Sequence, residues 1–329
     1  MSEATANAVG GSADLSLQLE EYRRELTGYC YRMLGSAFEA EDAVQETLLR
    51  AWRSYGRFEG RSSLRSWLYR IATNVCLDLL ANRKRRGRPM ELGAAQSADT
   101  PLPPPIEETA WIEPVPDARV LSDGDPADVA LARESIKLAF MAALQHLPPK
   151  QRAVLILREV LRWRASEVAE LLDTSVAAVN SALQRARETM EARNSSLDDP
   201  VRPMDEQSQQ LLARYVDAFE SYDMDALTAL LHQDATWNMP PYAMWLNTHR
   251  DVVAWCLGPG IGCKGSRLVP VNVNGSLGFG QYKPGAQGRL EPWSIQVVEM
   301  ANGKISGLTF FLDTERFFPL FGLPPSLDA

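Results

Sequence analysis

ASEVAELLDTSVAAVNSALQRARETM, residues 165–190, carries two short amphipathic helices set against each other across a turn. Ser166 is placed to cap a first helix whose core side is Val168, Leu171 and Leu172. Asp173 and Thr174 make the turn, and Ser175 caps a second helix. On that second helix Val176, Val179, Ala182, Leu183, Ala186 and Met190 share one side at 3.6-residue spacing. The other side shows Ala177, Ser181, Gln184 and Arg185, with Asn180 and Arg187 at its edges. Small and polar residues with two arginines suit a helix that enters the major groove and touches both bases and phosphates. The same pattern fits an amphipathic helix in any α-bundle, so the rest of the chain has to decide.

A length of 329 residues allows two or three domains, each with its own core. Hydrophobic content of 45% is that of a globular protein, and no apolar run is long enough to cross a membrane. The first twenty residues lack a basic segment followed by an apolar one, so no secretory signal is expected. Cys30, Cys76, Cys256 and Cys263 are scattered without a CxxC pair, which argues against a metal site and for free buried thiols in a reducing cytoplasm. The net charge of −8 alone would exclude nucleic acid, but its distribution does not. Residues 1–86 carry +2 and residues 131–194 carry +3, whereas residues 87–130 carry −7 and residues 195–329 carry −6. Two basic modules thus alternate with two acidic ones, and the first ends in the run Arg83, Lys84, Arg85, Arg86.

Upstream, DAVQETLLRAW (residues 42–52) reads as a helix with Val44, Leu48, Ala51 and Trp52 on its core side. The opposite side carries Asp42, Glu46 and Arg53, with Leu49 set among them: either a stray exposed leucine or the apolar centre of a docking face. LRSWLYRIATNVCLDLLANRKRR (residues 64–86) is a helix with an apolar stripe of Leu64, Trp67, Leu68, Ile71, Val75 and Leu79, and with a basic side and end. Before it lies SYGRFEGRSS, a polar loop whose aromatic, basic and small groups suit an unstacked base. Residues 87–130 contain eight prolines from Pro89 to Pro126 and cannot be one helix. They are expected to form an extended linker with Trp111 and Ile112 as a local anchor. A second boundary falls near NSSLDDPVRP, residues 194–203.

The succession of DAVQETLLRAW, then RFEGRSSLRSWLYRIATNVCLDLL, then LQHLPPKQRAVLILREVLRWRASEVAELLDTSVAAVNSALQRAR resembles the extracytoplasmic-function (ECF) class of bacterial sigma-70 factors, over about residues 17–192. The resemblance implies two all-α modules. Residues 17–86 would dock on the β′ subunit of core RNA polymerase and melt the promoter −10 element. Residues 131–193 would read the −35 element, and the partners implied for the chain are core RNA polymerase, through its β and β′ subunits, and promoter DNA. By position it assigns polymerase docking to Asp42, Gln45, Glu46, Leu49 and Arg53. It assigns −10 contacts to Arg61, Ser62, Ser63, Arg70, Asn74, Arg83, Lys84, Arg85 and Arg86. The −35 contacts would be Ala177, Asn180, Ser181, Gln184, Arg185 and Arg187. Many members show Val-Lys-Ser-Arg-Leu where this chain has Val179, Asn180, Ser181, Ala182 and Leu183; two cations fewer imply weaker phosphate anchoring. The nine acids of residues 87–130 fit either an RNA mimic in the polymerase channels or a solvated tether.

Residues 204–329 read as helices followed by strands. LLARYVDAFESYDMDALTALLHQDATWNMP holds two helices and a strand, and THRDVVAWCLGPG another helix. SRLVPVNVNGSLGFGQYK, EPWSIQVVEM and KISGLTFFLD follow as strands, with a tight turn at Asn302–Gly303. This order resembles the SnoaL-like α+β cone-shaped barrel carried by ECF factors of the sigma-J and sigma-G type, and WIEPVPD (residues 111–117) resembles a linker motif of that group. Trp237, Met239, Tyr242, Trp245 and Trp255 are candidates to line a cavity holding a small-molecule ligand, with His249, Asp251 and Asp313 as its ionisable groups. No pair of ionisable residues has a spacing that announces catalysis, so a non-enzymatic, cofactor-free promoter-specificity subunit of RNA polymerase is expected, regulated by its own C-terminal domain. The competing reading is a DNA-binding module fused to a small-molecule cyclase or isomerase.

Overall fold

The computed structural model describes residues 15–81, 83–121, 125–193 and 206–328. The expected boundary at 194–203 lies outside them. The described residues fall into two compact units, Met1–Arg85 with Ala118–Asp199 and Arg86–Asp117 with Pro200–Ala329.

In the first unit α1 (Arg23–Leu34), α2 (Ala37–Ser54) and α3 (Leu64–Leu80) form a bundle. Gly35, left-handed at φ 73°, ends α1, and the Ser36 hydroxyl accepts from the Glu39 amide to start α2 one residue later. Leu26, Tyr29, Met33, Val44, Leu68 and Tyr69 fill the centre. Gly28 is required by a close approach: a Cβ there would lie 2.5 Å from the Val120 carbonyl oxygen. The second half comprises α4 (Pro126–Glu134), α5 (Leu138–Gln145) and α6 (Pro149–Leu155), which runs on as a π turn over Ile156–Val160. Then follow α7 (Ala165–Leu171) and α8 (Val176–Glu191), the helix-turn-helix read from the sequence. Asp173, left-handed at φ 49°, makes the turn, and the Ser175 hydroxyl accepts from the Ala178 amide.

Three local expectations need correction. Ser166 does not cap α7; Arg164 occupies that position, and its amide donates to the Glu167 carboxylate at 2.7 Å. Val176, placed on the core side, is 44% exposed at the first position of α8, where nothing packs over it. Trp52, placed on the core stripe of α2, is 50% exposed in that helix's last turns.

The second unit has α9 (Glu206–Ser221), α10 (Met224–Leu230) and α11 (His249–Leu257) together with a seven-stranded sheet. Its strands are β1 (Leu231–Asn238), β2 (Trp245–Leu246), β3 (Arg267–Val273), β4 (Ser276–Pro284), β5 (Arg289–Ala301), β6 (Lys304–Phe311) and β7 (Leu327–Asp328). They run in the order β2-β1-β6-β5-β4-β3, with β7 paired to β5. β1 and β6 are parallel and the other pairs antiparallel. Asn302–Gly303 has positive φ at both residues and joins β5 to β6 as expected; Asn274–Gly275 does the same between β3 and β4. Tyr215, Phe219, Leu227, Trp237, Trp255 and Phe310 belong to one core of helices against sheet, and α12 (Thr314–Leu320) follows β6. The class is therefore two helical modules plus an α+β domain.

The linker differs most from expectation. Residues 86–117 are docked on the C-terminal unit, while α4 belongs to the first unit, so residues 87–130 do not form one tether. Proline excludes a helix but leaves extended chain with apolar side chains to bury. Every residue from Trp111 to Pro116 is buried. The backbone is satisfied segment by segment. The Gly87 amide donates to Ala110 and the Ile112 amide to Gly87; Gln96 donates to Trp245 and Ile106 to Pro241. The Asn274 amide donates to Val115 at 3.1 Å, and the Asn274 side-chain oxygen accepts from the Val115 amide at 3.0 Å. The Gly275 amide donates to Asp117 at 2.8 Å. Arg316 closes the arrangement by pairing with Glu108, Glu113 and Asp313.

Candidate polymerase and promoter interfaces

On α2 the core residues Ala40, Ala43, Val44, Thr47, Leu48 and Ala51 face inward. Opposite them Asp42, Gln45, Leu49 and Arg53 are exposed and Glu46 is half-buried, tied to Arg50 at 2.6 Å. Leu49 is 41% exposed, an apolar group inside a charged rim on a rigid helix.

Arg50, Ser54 and Arg57, with Trp67, Ile71 and Asn74 of α3, line an open cleft of about 290 Å³. Only Asn74 of the expected base-contacting residues is among them. Phe58 and Trp67 pack with ring centroids 4.8 Å apart, and Tyr55 lies 6.0 Å from Phe58, so an aromatic platform adjoins two cations and one amide. Ser54 and Arg57 belong to the loop read from the sequence as suited to an unstacked base, whereas Arg50 was not read as a contact and Trp67 and Ile71 were read as apolar stripe. Their signal was available: two stripes at spacings of three and four residues that combine a cation or aromatic with a small polar group.

The remaining −10 candidates scatter. The Ser63 hydroxyl caps α3 by accepting from the Ser66 amide at 3.1 Å. Ser62 is half-buried, and Arg61 pairs with Glu59. Arg70 is exposed, yet its guanidinium donates to the Glu170 carbonyl at 2.6 Å. Arg83 pairs with Glu39, Lys84 is exposed, and Arg85 meets His146. Arg86 does not belong with them: it is 5% exposed and donates to the carbonyls of Glu108 (2.8 Å) and Trp111 (2.6 Å), inside the docked linker. A basic run looks uniform in sequence; burial separates its last member from the rest.

On α8, Val179, Leu183, Ala186 and Met190 are buried, while Ala177, Asn180, Ser181, Gln184, Arg185 and Arg187 are all exposed on the outer side. Gln184 donates to Glu188 at 3.1 Å, and Arg187 is held by Glu159 at 2.7 Å.

Of the five cavity candidates, Trp237, Met239 and Trp255 line the interior of the C-terminal unit. Tyr242 does not, although it packs partly against the core, and Trp245 instead donates its indole N–H to the Gly93 carbonyl at 2.9 Å. Phe219, Tyr222, Met224, Gln281, Trp293 and Phe310 complete much of the lining, around only about 30 Å³ of free space. Gln281 accepts from Ser294 and Gln296 at 2.9 Å and donates to Ser266 at 3.0 Å; Gln296 in turn accepts from Tyr215 at 2.7 Å. The polar interior is thus a closed amide–hydroxyl network. Burial pushes the Cys256 thiol up to about 12, so it is no nucleophile at neutral pH. The three ionisable candidates hold structure instead. His249 meets the His232 carbonyl, Asp251 accepts from Thr248 and the Ala98 amide, and Asp313 caps α12. Among the described residues no group of three His, Cys, Asp or Glu is arranged to hold a metal, and no helix is long and apolar enough to cross a membrane.

Comparison with known proteins agrees with this geometry. Residues 19–86 match the model of Sigma-70 region 2 and residues 137–190 that of Sigma-70, region 4. The chain is 46% identical over 320 residues to the ECF RNA polymerase sigma factor SigG of Mycobacterium tuberculosis, covering 95% of this chain and 85% of that one. It is 28% identical to SigJ of the same organism, covering 91% and 92%. The crystal structure of SigJ from Mycobacterium tuberculosis superposes with a TM-score of 0.59 at 26% identity, covering 94% of this chain and 99% of that one. With both sigma modules matched and a relative this similar along almost its whole length, the chain belongs to the ECF RNA polymerase sigma factors.

Proposed function

We propose that α2 docks this chain on the β′ subunit through Leu49 and its rim of Asp42, Gln45, Glu46 and Arg53. The cleft between α2 and α3 takes a promoter base, and α8 reads the −35 element. The family is non-enzymatic: its members bind core polymerase and promoter DNA. The observation that carries the residue assignment is the exposed Leu49 within a charged ring, the anatomy of an interface core with a polar rim. Arg50 and Arg57 supply phosphate attraction at the cleft while Trp67 offers a ring and Asn74 an amide edge. On α8, Ser181, Gln184 and Arg185 are exposed on the outer side and suit base edges, Gln184 by exchanging its bond to Glu188; Arg187, already braced by Glu159, suits a phosphate. The protein works in the cytoplasm, where polymerase is.

The C-terminal unit regulates the sigma modules through the linker it holds. Fully extended, the 32 residues 86–117 would reach about 110 Å. Docked, Gly87 pairs beside Trp111, leaving six residues to Asp117 and a reach of about 25 Å. A small-molecule receptor is not favoured, because about 30 Å³ holds a water and not a metabolite. Run-off transcription with purified core polymerase on genomic promoters tests the whole reading. Promoter-dependent initiation is expected from the wild type and not from Leu49→Asp; equal activity of the two would refute the docking face.

A further inference from the structure

Two arginines cross the seam between the α1–α3 bundle and the helix-turn-helix module in opposite directions. Arg32 of α1 is 3% exposed; it donates to Ala132 O at 3.0 Å and Ser135 Oγ at 2.8 Å on the far side, and to Gly28 O on its own helix. Arg152 of α6 is equally buried and donates to Met33 O of α1, as well as to Gln145 and Leu147 beside it. Among the described residues neither arginine pairs with a carboxylate. Every acceptor is a carbonyl, an amide or a hydroxyl, so each charge is desolvated without a counter-charge. Burial accordingly pushes both guanidinium groups down to about 10.

The same seam covers one face of α3. The Trp163 ring, just before α7, lies 5.0 Å from that of Tyr69, and the Arg65 guanidinium stands 5.4 Å from both. One turn further along α3, Arg70 is spent on the Glu170 carbonyl at the end of α7.

We propose that this seam is an internal mask: the helix-turn-helix module, hooked to the bundle by Arg32 and Arg152, covers the promoter-facing side of α3 at Arg70 until the joint opens. The proposal rests on the reading of Arg70 as a promoter contact. It is separate from the linker docked on the C-terminal unit, since every residue of the seam lies in the first unit. Ring packing and charge-assisted hydrogen bonds hold the joint closed; two desolvated cations oppose them and are rehydrated on opening. The opposing contributions make this joint, rather than either module's core, the place where the unit gives way. Opening frees Arg70 and returns Arg32 and Arg152 to water, so a polyanionic strand is favoured by the open form alone.

The test uses the full chain without polymerase. Trp163→Ala removes the ring against Tyr69, and Ser135→Ala removes the acceptor of Arg32 Nε; neither residue is assigned to polymerase or DNA. An aromatic pair contact of ordinary strength corresponds to about a three- to tenfold shift toward the open form. Both variants should show a larger radius of gyration by small-angle scattering and, by the same factor, tighter binding to a labelled random single-stranded oligonucleotide of about 12 nucleotides at about 50 mM salt. A larger radius with unchanged DNA affinity would refute the mask. Unchanged radius and affinity would refute the seam as the release point. Ser135→Ala deletes a single oxygen, so it keeps the test decisive if Trp163→Ala disturbs folding. Adding Arg70→Ala to Ser135→Ala should abolish the gained affinity. Should the gain persist, Arg70 is not the covered contact and the mask falls with it, whereas an increased radius would still establish the joint.

Discussion

Replacing Trp111 tests whether residues 86–117 are part of the C-terminal unit's core or only rest on it. The ring is 4% exposed, and its backbone sits in the ladder that joins Gly87 to Ile112. Trp111→Ala leaves those backbone bonds in place and removes only the side chain. A buried tryptophan truncated to alanine costs about 3–5 kcal/mol through lost transfer energy and the cavity left behind. The indole N–H is buried and has no hydrogen-bond partner among the described residues, so Trp111→Phe removes an unsatisfied donor along with part of the ring volume. The two effects oppose each other, and the phenylalanine variant should lose less than about 1.5 kcal/mol. The assay is urea unfolding of the full chain followed by hydrogen exchange of residues 206–328, with limited proteolysis of the Pro101–Pro105 stretch alongside. The alanine variant should lower the midpoint of the C-terminal unit and speed cleavage in the linker. A cost below about 1 kcal/mol for alanine, or equal costs for alanine and phenylalanine, would refute a core role for the strap.

Leu49→Asp should weaken binding to core polymerase by about 2 kcal/mol or more while leaving the melting temperature nearly unchanged, since the side chain is exposed and lies outside the buried face of α2; calorimetry and polymerase pull-down separate the two. Changes at Ser181, Gln184 and Arg185 should alter which −35 sequences support transcription, whereas Arg187→Ala should weaken all sites alike and lower the salt slope by about 1, read by binding titrations in a salt series. Burial raises the Cys256 and Cys263 thiols, so alkylation at pH 8 should be slow and should rise with pH; Cys263, the one cysteine not fully buried, should label first by mass spectrometry, and early labelling of Cys30 or Cys76 would contradict the packing of the bundle.

The helices of the first unit were legible because their burial is periodic and local. The α8 pattern of Val179, Leu183, Ala186 and Met190 needs only 3.6 residues per turn. Trp52 and Val176 escaped the same rule near helix ends, where a residue can keep the correct phase and still have no neighbour to cover it. The strands and the Asn302–Gly303 hairpin were legible for a comparable reason: turn chemistry and a two-residue period act over few residues. The docked linker was not. Its partners are Asn274, Trp245 and Pro241, all more than a hundred residues away, and proline-rich extended chain has the same composition whether bound or solvated. The cavity was half legible, since Trp237 near the end of β1 and Met239 just past it lie two residues apart, while Phe219, Tyr222 and Trp293 arrive from elsewhere in the chain.

Arg86 brings the local and the distant readings into direct conflict, and the sign of one measurement decides between them. As the last member of a basic run it should touch promoter phosphate, and Arg86→Ala should lower transcription and flatten its salt dependence. As a buried cation bonded to the carbonyls of Glu108 and Trp111 it should instead fasten the linker, and the same substitution should loosen it. Two hydrogen bonds from a charged donor are lost and the buried Trp111 carbonyl is left short of a partner, a cost of about 2–4 kcal/mol to the docked state. A loosened linker regains part of its extended reach, so if docking restrains the sigma modules, run-off transcription should rise. Removing everything after Arg193 should act in the same direction but exposes Trp111, Ile112 and Val115 at once, three apolar side chains that invite aggregation. The point variant avoids that complication. Increased transcription from Arg86→Ala with faster proteolysis of residues 87–110 supports restraint through the linker. Decreased transcription with unchanged proteolysis returns Arg86 to the promoter surface. Faster proteolysis with decreased transcription makes the docked linker a positive element, one that presents the sigma modules to polymerase instead of holding them back.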